Sequence, residues 1–149
     1  MNILKKIGIG VVLILTAISA NAEVKNLTKS EIKCLQDMAY YEARGESTKG
    51  MVATIFVTLN RMKDPRFPSN ACKVVYQPNQ YSWTRKGYTV KEPELYERSK
   101  AVVRDVLNGK HVDYSRGATF FNSHHKTPVK GAVCTTRIGG HSFYKKDVK

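Results

Sequence analysis

The sequence has few cysteines and lacks metal-binding spacings, and these gaps argue against several classes of enzyme. Its 149 residues contain three cysteines and four histidines. No C-x-x-C pair and no H-x-x-x-H or H-E-x-x-H pattern occurs, so neither a zinc ribbon nor a zinc hydrolase is indicated. His124 and His125 are adjacent, but neighbouring histidines rarely bind one ion. We therefore expect no metal and no cofactor.

Acidic residues are also scarce, since 12 of them stand against 25 lysines and arginines, for a formal net charge of +13. A surface of this kind attracts polyanions such as nucleic acid, anionic membrane or an acidic cell-wall polymer. The alternative is that the charge only keeps the protein soluble. Because the N-terminal sequence also predicts export, we expect the anionic cell wall as the partner and no nucleic acid.

Only one long apolar run is present, and it lies at the N-terminus. Lys5 and Lys6 precede an apolar stretch over residues 7–18, which is followed by Ala20-Asn21-Ala22. This order is typical of a secretory signal peptide, and about 12 apolar residues are too few for a membrane span of about 20. We predict a signal peptide at 1–22 and one catalytic domain at 23–149, exported to the periplasm or the cell wall, with no stable membrane span after cleavage. A retained anchor is the alternative.

The three cysteines are Cys34, Cys72 and Cys134. In an exported chain an odd number predicts one disulfide and one remaining thiol, and the spacing does not say which two pair. A cysteine nucleophile with a histidine base is the competing interpretation. Neither Cys34, within a predicted helix, nor Cys72 has an obvious nucleophile setting.

The start of the mature chain predicts an amphipathic helix. Thr28 and Glu31 form a T-x-x-E capping box, and Gly45 is expected to end the helix. One helical face then carries residues at i, i+3, i+7 and i+10, which are Ile32, Leu35, Ala39 and Glu42.

The remaining pattern predicts an α+β domain with a helical core and a small β element. A nearly all-apolar second helix is expected from Ser47 or Thr48 to about Met62, and a third from Pro93 to Asn108-Gly109. Between them, residues 63–91 look irregular. Short strands are predicted at 112–114, 119–122 and 141–144.

The stretch YYEARGE places two glutamates around an Arg-Gly pair. Glu42 lies on the apolar stripe, where lost solvation raises the pKa of a carboxyl and suits it to act as a general acid. The alternative is an ordinary glutamate paired with Arg44 or Arg61. Glu46 lies beyond Gly45, and we favour a local role for it in the turn or as a cap of the next helix, rather than as the second acid of a glycosidase.

Aromatic residues are concentrated in the irregular segment. They can stack on sugar rings or simply pack beneath a long loop. Trp83, beside Gln80, Tyr81 and Ser82, is the best candidate for a sugar contact, whereas Tyr76 is expected in the core.

Seven sequence blocks in order resemble the cell wall hydrolase family that includes the catalytic domain of the spore cortex-lytic enzyme SleB. They extend over nearly the whole mature chain, and are YYEARGE (40–46), VATIFVTLNR (52–61), DPRFP (64–68), CKVVYQ (72–77), QYSW (80–83), GATFFN (117–122) and RIGGHSFY (137–144). Two departures from the family pattern concern the shape of the sugar cleft. Phe120 stands where relatives often have histidine, and residues 128–131 (Pro-Val-Lys-Gly) lack a tryptophan that relatives often carry.

The resemblance implies a lysozyme-like fold and cleavage of the MurNAc–GlcNAc β-1,4 bond of peptidoglycan by lytic transglycosylase chemistry. Glu42 would be the single acid and base, and the product a 1,6-anhydro sugar. The residues expected to bind the glycan or shape its cleft are Glu46, Gln80, Tyr81, Ser82, Trp83 and Tyr144. The alternatives are a hydrolytic muramidase, a cysteine or zinc amidase or endopeptidase, and a non-catalytic wall-binding module. A monomer is expected.

Overall fold

The computed structural model describes residues 26–147, which form four α-helices and a three-stranded sheet. The expected α+β fold class is therefore confirmed. The predicted signal peptide at 1–22 lies outside the described residues. The helices are α1 (Lys29–Ala43), α2 (Thr48–Lys63), α3 (Ala71–Val75) and α4 (Pro93–Leu107), with a 3₁₀ turn at Ser82–Arg85, and the strands are β1 (Phe120–Ser123), β2 (Val133–Ile138) and β3 (His141–Lys145). Within 26–147, no helix has the length and apolarity to cross a membrane.

Helix α1 begins at the predicted capping box and carries Glu42 near its C-terminal end. The Thr28 hydroxyl accepts a hydrogen bond from the Glu31 amide at 3.2 Å, and the Glu31 carboxylate accepts one from the Thr28 amide at 3.0 Å. The same carboxylate accepts a bond from the Ala71 amide at 3.2 Å. It thereby fixes the start of α3 against the start of α1. The buried stripe of α1, which includes Leu35, leads to Glu42.

Helix α2 is the centre of the core, as its nearly continuous apolar sequence predicted. The Ser47 hydroxyl caps it by accepting a hydrogen bond from the Gly50 amide at 3.2 Å. Ten of its 16 residues are buried, which leaves almost no solvent face. It packs against α1, α3 and α4, and at its other side against β1. The other helices and the sheet therefore all pack against α2.

A disulfide between Cys34 and Cys72 joins α1 to α3, with the Cα atoms 5.3 Å apart, a usual separation for this bond. Cys134 has a free, exposed thiol. The prediction of one disulfide and one remaining thiol is confirmed, and the pairing that the spacing left open is Cys34–Cys72.

The sheet is antiparallel, in the order β1-β3-β2. Phe120 pairs with Tyr144 across β1 and β3, and the β2–β3 register is irregular between Cys134 and Thr136. The buried face of the central strand is anchored by Phe143, which is fully buried against α2. The sheet thus stands beside the helical core and packs against α2.

Four details of the sequence-based prediction were wrong. Residues 112–114 form no strand, because the Asp113 carboxylate accepts bonds from the Ser115 and Gly117 amides at 2.8 and 2.9 Å and bends the chain into a turn. Strand β2 was not predicted. The segment 63–91 is partly regular, since it holds α3 and the 3₁₀ turn. Tyr76, expected in the core, is 49% exposed.

Candidate active site

Glu42 projects from the last turn of α1 and is held by a tryptophan. Its Oε1 accepts a hydrogen bond from Trp83 Nε1 at 2.9 Å. The two arginines considered as ordinary partners are engaged elsewhere: Arg44 pairs with Glu92 at 2.7 Å, and Arg61 donates to the backbone carbonyl just before β1 at 2.6 Å. Among residues 26–147, the Glu42 carboxyl therefore has a neutral donor and no cation at bonding distance.

Burial raises the pKa of the Glu42 carboxyl above its usual 4.5, against the opposing effects of the Trp83 hydrogen bond and the positive charge of Lys126. Loss of solvation disfavours the charged form of a carboxyl. A proton held in this way is available for transfer to a substrate oxygen, which is what a general acid needs.

A groove of about 520 Å³ opens at Glu42, a volume typical of ligand pockets. One wall comes from the end of α1, and the other from the 3₁₀ turn and the segment leading into α4. Its lining residues are Tyr40, Tyr41, Glu42, Arg44, Ser82, Trp83, Tyr88, Thr89, Lys91 and Glu92. We name this the Glu42 groove.

Glu92 is a second carboxylate in the Glu42 groove, although no sequence pattern indicates that it converges with Glu42. Its carboxylate is neutralised by Arg44 at 2.7 Å. Tyr40 adds to this cluster, since its hydroxyl accepts from the Glu92 amide at 3.1 Å and donates to the carboxylate at 3.4 Å. The groove therefore contains two carboxyl groups in different environments. Glu42 is desolvated and accepts a hydrogen bond from a neutral donor, whereas Glu92 is paired with a cation.

Trp83 is 8% exposed and serves mainly as a holder of Glu42. Its ring stacks on Tyr41 at 4.6 Å and lies nearly parallel to Tyr81 at 6.0 Å. The indole is thus fixed between two rings, with its N–H directed at the carboxyl. Tyr81 is buried as well, and burial raises the pKa of its phenol. Its ring supports Trp83, and it is not among the residues that line the groove.

Glu46 has a long-range role, so the local role favoured for it was wrong. Both oxygens of its carboxylate accept the Gly140 amide, at 3.1 and 3.2 Å, from the turn between β2 and β3, 94 residues away in sequence. A Cβ on Gly139 would overlap this carboxylate, and one on Gly140 would lie 2.8 Å from it. Through these hydrogen bonds, Glu46 holds the β2–β3 turn against the junction of α1 and α2.

The sheet and its first loop hold further polar groups, and of these Lys126 is the one that acts on Glu42. Lys126, in the loop after β1, is near enough to influence the Glu42 carboxyl. Burial lowers the pKa of the His141 imidazole, while the charge of Glu46 acts in the opposite direction. His141 Nδ1 and Asn122 Oδ1 are buried with no partner among the described residues. Such atoms are typical of sites that bind water or a ligand.

The remaining predicted residues differ in whether they line the Glu42 groove. Ser82 is exposed and lines the Glu42 groove, whereas Gln80 is half-buried and does not line it. Tyr144 is 4% exposed within the sheet and is also outside the groove lining. Phe120, the departure from the resemblance, packs against the buried Arg61 guanidinium at 5.2 Å, so its ring supports the base of β1.

A larger concavity, about 1110 Å³, lies elsewhere, along α1 and α4. Its one lining carboxylate, Glu97, is exposed and pairs with Lys100 at 2.8 Å, so it offers no protected acid. Residues 26–147 contain no cluster of three or more histidine, cysteine, aspartate or glutamate side chains that could hold a metal ion.

Comparisons with known proteins identify relatives of this chain. The family described as Cell Wall Hydrolase matches residues 45–144, a segment that begins just after Glu42. The spore cortex-lytic enzyme of Halalkalibacterium halodurans is 34% identical over 118 residues, which cover 76% of this chain and 34% of that protein. The enzyme of the same name from Bacillus subtilis is 32% identical over 130 residues, covering 85% of this chain and 41% of that one. The chain thus spans about two fifths or less of these relatives.

Two solved structures share the fold. The catalytic domain of the Bacillus cereus SleB protein superposes with a TM-score of 0.69 at 27% identity, over 83% of this chain and 97% of that one. The catalytic domain of a germination-specific lytic transglycosylase, SleB from Bacillus anthracis, gives a TM-score of 0.68 at 26% identity, over 80% and 98%. The chain therefore corresponds to nearly the full length of these catalytic domains.

Proposed function

This chain belongs to the cell wall hydrolase family, and on that premise we propose that it is a peptidoglycan lytic transglycosylase with Glu42 as its acid and base. It cleaves the MurNAc–GlcNAc β-1,4 bond of glycan strands. The observation that carries the proposal is the Glu42 carboxyl itself, half-buried in a groove, with a raised pKa and a hydrogen bond from Trp83. The related structure described as a lytic transglycosylase supports the same chemistry.

One carboxyl is sufficient for this reaction. Protonated Glu42 gives its proton to the glycosidic oxygen as the bond to the anomeric carbon breaks. The C6 hydroxyl of the same sugar attacks the anomeric carbon, and the Glu42 carboxylate takes up the proton of that hydroxyl. The product is a 1,6-anhydro sugar, and Glu42 returns to its protonated form. Trp83 stays a fixed neutral donor throughout and holds the carboxyl in place.

A hydrolytic muramidase of the same fold is the second candidate, and Glu92 is the observation that favours it. Two carboxyl groups in one groove can divide the roles of acid and base in glycoside hydrolysis. The ion pair with Arg44 argues against such a role for Glu92, because it is bound to a cation at 2.7 Å. Its position in the groove wall fits a structural contact between α1 and the start of α4.

Release of dye from labelled sacculi tests these assignments. We expect Glu42→Gln to abolish release, because glutamine keeps the acceptor for Trp83 but carries no transferable proton. Glu92→Gln should keep most of the activity if Glu42 acts alone. Glu97→Gln, at an exposed glutamate of α4, is the matched control and should equal the parent. Full activity of Glu42→Gln would refute the proposal, and equal loss in Glu42→Gln and Glu92→Gln would favour the two-carboxyl enzyme.

The other classes predict different products. An amidase or endopeptidase would free stem peptides and would be inhibited by a chelator or a thiol reagent, whereas the enzyme proposed here should be insensitive to both. A non-catalytic binding module would bind sacculi and release nothing soluble.

The proposed location is the periplasm or cell wall, where the excess of basic residues favours contact with an anionic polymer. Because such contacts are screened by salt, binding of Glu42→Gln to intact sacculi should weaken as ionic strength rises. Binding that does not change with salt would remove the electrostatic part of the proposal.

A further inference from the structure

A second concavity adjoins the Glu42 groove, and the two share three aromatic walls. It has a volume of about 310 Å³, at the lower end of the range for ligand pockets. Tyr41, Trp83 and Tyr88 line both spaces, so the second begins where the first ends. Its other lining residues are Lys33, Asp37, Tyr76, Thr84, Gly87 and Val90.

The apolar side chains of this concavity are unusually accessible. Tyr76 is 49% exposed, Tyr88 47% and Val90 37%, and these are three of the five large apolar residues that are exposed in the described part of the chain. Tyr76 meets the edge of Trp83 with ring centroids 5.8 Å apart, and Tyr88 is tilted against Tyr41 at 6.0 Å. Exposed apolar groups gathered in one place, with a polar rim, mark a binding surface.

The backbone and charges hold this surface in position. The Tyr41 hydroxyl donates to the Tyr88 carbonyl at 3.0 Å, which fixes the segment that carries Tyr88 to the end of α1. At the opposite rim, Lys33 pairs with Asp37 at 2.6 Å. Aromatic faces beside exposed hydrogen-bonding groups match the chemistry of a sugar, whose ring has apolar faces and a hydroxyl rim.

We propose that Tyr76, Tyr88 and Val90 form, with Trp83, a second sugar subsite that binds a pyranose ring of the glycan strand beyond the one cleaved at Glu42. This proposal rests on the proposed function, because the ligand is the same strand continued past the Glu42 groove. The two spaces are contiguous around Trp83, so a strand of several sugars can occupy both at once, whereas a short one fills only the groove.

Binding of defined glycans to the full chain carrying Glu42→Gln tests the subsite without cleavage. The probes are a peptide-free MurNAc–GlcNAc disaccharide and the corresponding tetrasaccharide. Trp83 is the only tryptophan of the chain and borders both spaces, so its fluorescence reports binding in either. Adding Tyr76→Ala should weaken tetrasaccharide binding about two- to tenfold, the range for one aromatic contact, and leave disaccharide binding unchanged.

Two further variants provide the controls. Tyr76→Phe keeps the ring and should restore the parent affinity, and Val112→Ala, at an exposed residue outside both spaces, should have no effect on either glycan. The parent in this test is the chain that carries Glu42→Gln alone. If Tyr76→Ala binds the tetrasaccharide as tightly as this parent, or loses affinity equally for both glycans, the second subsite is refuted while the proposed function stands. If the parent binds neither glycan, the proposed function fails as well.

Discussion

Replacing Glu42 by glutamine should make the folded protein more stable at neutral pH while abolishing its activity. Burial raises the pKa of this carboxyl, while its two neighbours, the Trp83 N–H and Lys126, only partly offset the effect. A charge at this position is therefore worse solvated in the folded than in the unfolded chain. Glutamine has nearly the shape of a protonated glutamate and retains an oxygen that can accept the Trp83 bond.

The direction in which the free energy of unfolding changes with pH follows from proton linkage. Below pH 4.5, the usual value for glutamate, the carboxyl is protonated in both states and imposes no penalty. As pH rises above 4.5 the unfolded chain releases the proton first, so stability falls until the folded carboxyl also ionises. Each unit by which the folded pKa exceeds the unfolded one corresponds to about 1.4 kcal/mol at high pH. The glutamine variant does not titrate and should avoid this loss.

Chemical denaturation at pH 4 and pH 7 measures the effect. We expect equal free energies of unfolding for Glu42→Gln and the parent at pH 4, and a more stable variant at pH 7. The gain should be of the order of 0.5–2 kcal/mol, as for other single stabilising substitutions, some of which remove a function. Glu97→Gln, at a side chain that is 67% exposed, should show no such difference. A Glu42→Gln variant that is less stable at pH 7, or equally shifted at both pH values, would refute the reasoning.

Three further predictions follow from the surroundings of Glu42. Activity should fall at alkaline pH as Glu42 loses its proton. Because Lys126 lowers the pKa of Glu42, Lys126→Ala should move this fall in activity to higher pH, whereas Lys130→Ala, in the same loop, should not. Gly139→Ala should lower the free energy of unfolding by about 2–4 kcal/mol, because it adds backbone strain at φ 54° and displaces the Glu46 carboxylate from its hydrogen bonds. Gly131 has φ 70° and open space around it, so Gly131→Ala should lower the free energy of unfolding by the backbone strain alone. Removing the Cys34–Cys72 disulfide should lower the free energy of unfolding by about 4 kcal/mol, given its separation of 38 residues, whereas Cys134→Ser should leave it nearly unchanged. In each of these three predictions, an equal effect of the variant and its control would contradict the contact assigned to the residue.

The helical half of the fold could be predicted because its signals are local. The capping box of α1, the apolar sequence of α2 and Pro93 at the start of α4 each act within a few residues. Strand β2 has no such signal. None of its six residues VCTTRI is buried, and the sequence lacks the alternation of apolar and polar residues that marks a half-buried strand.

The candidate site divides in the same way. The helical phase placed Glu42 on the buried stripe, and the structure locates it in a groove. The partner of Glu46 lies 94 residues away, so no local pattern could identify it. For Trp83 the sequence could not tell which edge of the indole would face Glu42, and the structure gives it a holding role. Lys126 acts on Glu42 from the loop after β1, and no local sequence pattern shows that the fold brings the two together.

The mass spectrum of the soluble fragments released from purified sacculi tests the central claim most directly. If Glu42 acts alone as acid and base, the parent should release muropeptides with 1,6-anhydro ends, each lighter by one water than the reducing form, and Glu42→Gln should release none. Fragments with plain reducing ends would contradict the transglycosylase mechanism, and anhydro fragments from Glu42→Gln would contradict the role of Glu42.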